Sequence, residues 1–133
     1  MNENKPEKSI NNQKPEEILT SIAAQFKGLT SQCEEVYETG DDLDKYIQFL
    51  KKRAQLIVDL PQKIQECVER GELFPKSKME DLQYMARTAK EALKGGRVFM
   101  LGTLLSHLGS QKDTPNDLDI LIEEIYPNPD VSL

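Results

Sequence analysis

Residues 43–57, LDKYIQFLKKRAQLI, decide the fold class. Leu43, Ile47, Leu50, Ala54 and Ile57 follow one another at alternating steps of four and three. That repeat lies close to the turn of an α-helix, so the five side chains share one face and form a stripe that must be buried. Two other stretches carry the same pattern. IAAQFKGLTSQCEEV at 22–36 sets out Ile22, Phe26, Leu29, Cys33 and Val36, and MEDLQYMARTAKEAL at 79–93 sets out Met79, Leu82, Ala86, Ala89 and Leu93.

Punctuation around these stripes bounds the helices. Asp41 and Asp42 are N-cap candidates for a helix over 43–59. Pro61 lacks an amide hydrogen and disfavours helix at Leu60, so it either kinks this helix or begins another that carries Ile64, Cys67 and Val68 and stops at Gly71. Upstream, Pro15 suits a first helical position, and Glu16 and Glu17 complement the positive end of a helix running over 15–38 to Gly40. Gly28 inside it costs about 1 kcal/mol relative to Ala and marks a point for a bend or break.

Downstream, Ser77 and Glu80 have the spacing of a capping box that opens a helix over 78–94, stopped by Gly95 and Gly96. Residues 97–108 are apolar on most sides and are expected to form the most buried helix. In the last stretch, Thr114, Pro115 and Asp117 read as cap, first-turn proline and acidic third position. Leu118, Leu121, Ile122 and Ile125 share a helical face, whereas Leu118, Ile120 and Ile122 alternate as in a strand. With no second strand to pair with, helix is expected. The sequence thus predicts an all-α fold, an antiparallel bundle of five to six helices with short connections. One domain over 15–126 lies between a flexible polar tail, 1–14, and a C-terminal tail, 127–133.

Composition narrows the function classes. A net charge of −6 over 133 residues does not suit a general nucleic-acid binder, which needs cations to displace phosphate counterions. Residues 1–15 have Ile10 as their one large apolar side chain, unlike a secretory signal. The apolar run over 98–108 is broken by Gly102, Thr103, Ser106 and His107, too short and too polar to span a bilayer. Cys33 and Cys67 sit on helical faces among apolar neighbours, as small hydrophobes in a reducing compartment do, which points to the cytoplasm and away from a membrane.

Few residues carry chemistry. Gly109 and Ser110, followed after a short spacer by Asp117-Leu118-Asp119, resemble the signature of minimal nucleotidyltransferases. That resemblance implies a Gly-Ser turn for a triphosphate and a strand that presents Asp117 and Asp119 to Mg²⁺. The spacer here is shorter than the family's, no third carboxylate strand follows, and no sheet is expected. A capped amphipathic helix accounts for the same residues. His107 is the sole histidine, and with Cys33 and Cys67 far apart no zinc spacing arises.

Lys51, Lys52 and Arg53 form the one basic run, and on a helix they fan around the exposed side, with Lys45, Lys63 and Arg70 as nearby cations. Tyr46, Phe49 and Tyr84 flank the stripes; an aromatic of this set left outside the core would anchor an interface. The chain therefore reads as a non-catalytic interaction or regulatory protein with no metal or cofactor. It would act as an adaptor, an assembly subunit or a homodimer through a helical face. The first helix, with Ile18, Ile22, Phe26, Leu29 and Val36, is the expected docking surface. One alternative is a subunit of a nucleoprotein complex, contacting nucleic acid through Lys51, Lys52 and Arg53; a minor one is an enzyme with a degenerate nucleotidyltransferase-like site at Gly109, Ser110, Asp117 and Asp119.

Overall fold

The structure is a computed structural model that describes residues 13–40, 42–106 and 115–127. It is all-α and bundle-like, with five helices and no strand among the described residues. These are α1 (Pro15–Thr39), α2 (Leu43–Glu69), α3 (Lys76–Gly95), α4 (Val98–Gly102) and α5 (Asp117–Ile125). Residues 1–12, His107, Gly109, Ser110, Thr114 and 128–133 lie outside the described residues, and with them most of both expected tails.

α1 begins at Pro15, where the Lys14 amide donates to Glu17 Oε1 at 2.9 Å, and it runs unbroken through Gly28. It ends where Gly40 takes a left-handed conformation, φ 69°, and its amide donates to the Val36 carbonyl. α2 opens on Asp42, whose carboxylate accepts the Lys45 amide at 3.0 Å. Pro61 sits inside α2, so no separate helix begins there.

The reason is burial on both sides of the proline. Ile57, Leu60, Ile64 and Cys67 are all buried. An interior proline costs about 3 kcal/mol. Fully burying each large aliphatic side chain returns about 1.5–3 kcal/mol, so a continuous helix wins over a break.

α2 is the central element and packs against α1, α3 and α4, while α5 closes over α1. Its Leu50, Ala54, Ile57, Leu60, Ile64 and Cys67 meet Leu19, Ile22, Ala23 and Phe26 of α1 and Leu82, Ala89 and Ala92 of α3 in one core. The stripes hold best at their middles. Leu43, at the leading edge of the second, is exposed.

Three local expectations are corrected. The capping box at Ser77 and Glu80 does not form, because α3 starts earlier: Pro75 is its N-cap, and the Pro75 carbonyl accepts the Lys78 and Met79 amides. Ser77 is then already helical and cannot cap. The expected most buried helix is instead the five-residue α4, with Phe99 81% exposed; only Leu101 of that helix is buried. The N-cap of α5 is Asn116, whose side chain accepts the Asp119 amide at 2.8 Å while Asp119 accepts the Asn116 amide at 3.1 Å. Helix, not strand, is the state of 117–125.

Candidate docking groove

α4 and α5 both lie beside α3 without closing onto it, and a groove of about 450 Å³ remains between the three. Its floor is formed by Met85 of α3, Met100 of α4, Leu104, Leu105 and Leu121. Leu105 has a left-handed backbone, φ 65°, which costs a residue with a Cβ roughly 1–2 kcal/mol. Its carbonyl accepts the Asp117 amide at 2.9 Å, so this turn fixes the start of α5 at one end of the groove.

The rim is aromatic and acidic. Tyr84 is 65% exposed, with Arg87 lying over its ring 5.8 Å from the centroid. Ile120 is partly exposed on the opposite wall. Among the described residues, Asp81, Asp117 and Glu124 are the charged ones that line the groove, and Lys78 bonds Glu124 at its edge. That bond raises the Lys78 pKa above its ordinary value.

Residues expected at the first docking surface occupy different surroundings. Ile18, Ile22 and Phe26 are buried in the core of the same chain, while Leu29 and Val36 are half-buried. Of the basic run, Lys51 and Lys52 are exposed but Arg53 is only 5% exposed. The expected fan of three cations around the outside is therefore corrected at Arg53. Its Nη1 donates to Thr30 Oγ1 at 2.8 Å, and its Nη2 donates to the Leu101 and Gly102 carbonyls at 2.8 and 3.0 Å. The guanidinium lies over the Phe26 ring, 4.6 Å from its centroid. Burial pulls its pKa below the ordinary arginine value, and the same burial pushes the Cys33 thiol up.

The D-x-D pair is on helix, not strand. Successive helix residues turn by about 100°, so Asp117 and Asp119 point to different sides. Asp119 caps Asn116 and pairs with Lys27 at 3.5 Å, while Asp117 lines the groove. Among the described residues, no three His, Cys, Asp or Glu side chains gather where they could hold a metal ion. None of the described helices is long and apolar enough to cross a membrane. Comparison with protein-family models, curated proteins and solved structures finds no match to this chain.

Tyr84, an aromatic beside a stripe in the sequence, stands outside the core. The rest of the groove was not foreseen, because its walls come from α3, α4 and α5, which no local pattern relates. Arg53 did leave a signal. Leu50, Arg53, Ile57, Leu60, Ile64 and Cys67 follow alternating steps of three and four, which places the arginine on the buried face.

Proposed function

We propose that this chain is a small, non-catalytic interaction protein of the cytoplasm, an antiparallel helical bundle that docks a partner in the groove between α3, α4 and α5. The observation that carries this is a groove with an apolar floor, partly buried at Met85 and Met100, opening beside exposed Tyr84 and Ile120, with Tyr84 as its aromatic anchor. The docking face moves from α1 to this groove because Ile18, Ile22 and Phe26 already serve the core. Cys33 and Cys67, both free and buried, suit a reducing compartment.

A photo-crosslinking residue placed at Tyr84 tests the docking face, with the same residue at exposed Gln83 as control. A discrete crosslinked product from position 84 alone is expected in the native host. Indistinguishable products from the two positions, or none, would remove the groove as the docking face.

A second reading, contact with nucleic acid inside a larger complex, draws on α2. Lys45 and Lys52 both lie near the Phe49 ring, 6.0 and 5.8 Å from its centroid, a pairing of cation and aromatic that suits a nucleotide strand. Salt-dependent RNA or DNA binding that disappears in a Lys45→Glu, Lys52→Glu double variant is its test.

A further inference from the structure

We draw no further inference here: the strongest candidate, the surface patch at the turn from α1 to α2 where exposed Tyr37 and Leu43 stand beside half-buried Tyr46, carries nothing because nothing in the structure shows what covers it.

Discussion

Arg53, in the middle of α2, holds the end of α4 by donating from Nη2 to the Leu101 carbonyl at 2.8 Å. Leu101 and Gly102 close a helix too short to satisfy its own last carbonyls, and the buried guanidinium caps both while Nη1 reaches Thr30 of α1. One side chain thereby ties three helices at the point where the groove's α4 wall is set. Arg53→Met keeps the aliphatic volume but strands two carbonyls and takes one of two partners from the Thr30 hydroxyl, which still donates to the Phe26 carbonyl at 2.9 Å. It should destabilise the fold by about 2–4 kcal/mol in urea unfolding. Lys has no fork to span Thr30 and Leu101, so Arg53→Lys should recover less than half of that loss. A loss under about 0.5 kcal/mol for Arg53→Met would show that the network contributes nothing net.

Helix caps give a sharper contrast between sequence pattern and structure. Asp42 and Asn116 each accept a backbone amide three residues on, at 3.0 and 2.8 Å. Asp42→Ala and Asn116→Ala should each cost about 1 kcal/mol. Ser77 has the better capping-box sequence but lies inside α3 after Pro75. Ser77→Ala should therefore leave the urea midpoint within about 0.5 kcal/mol of the parent, or raise it slightly, since Ala is the better helix former.

What could be read from the chain followed from the range of the forces involved. Periodicity reports a single helical face, so the all-α class and the buried middles of the stripes, Leu50, Ala54 and Ile57 among them, were legible. Pro61 was not decidable locally, because the outcome depends on Leu60 and Ile64 finding partners on α1 and α3. The apolar run after Gly96 suggested burial, yet Phe99 faces out because α4 turns off after five residues at Gly102 and Thr103. Arg53 was read with its charged neighbours as surface, while its register with Leu50 and Ile57 pointed inward. The groove is a relation among three helices, and only Tyr84 announced it.

Gly28 tests how straight α1 must be. The helix passes through it, it is exposed, and a Cβ built there meets nothing within 4 Å. Gly28→Ala should therefore stabilise the protein by about 0.5–1 kcal/mol through the smaller entropy of the unfolded chain and the better helix propensity. An unchanged or lower thermal midpoint would mean that α1 needs the freedom of glycine at this position.

Alkaline pH should loosen the fold through two acids that are neutral when folded, the buried Cys33 and the half-buried Tyr126. Burial raises the Cys33 pKa above its ordinary 9.0, against the opposing pull of Arg53, and burial likewise raises Tyr126 above 10.0. For a group whose folded pKa is the higher one, the unfolded chain loses its proton first as pH rises. The associated stability is therefore complete below the ordinary value and is lost as pH climbs through the folded value. Urea midpoints should stay flat with respect to these two groups up to about pH 9 and then fall, first through Cys33 and then through Tyr126. Cys33→Ala should lower the neutral-pH plateau by about 1 kcal/mol and remove the first part of the fall. A Cys33→Ala profile parallel to the parent's at every pH would assign the whole alkaline loss to other groups. The thiol reagent DTNB at pH 8 gives an independent check: both cysteines should react slowly in the folded chain and fast in urea, since both are buried and free.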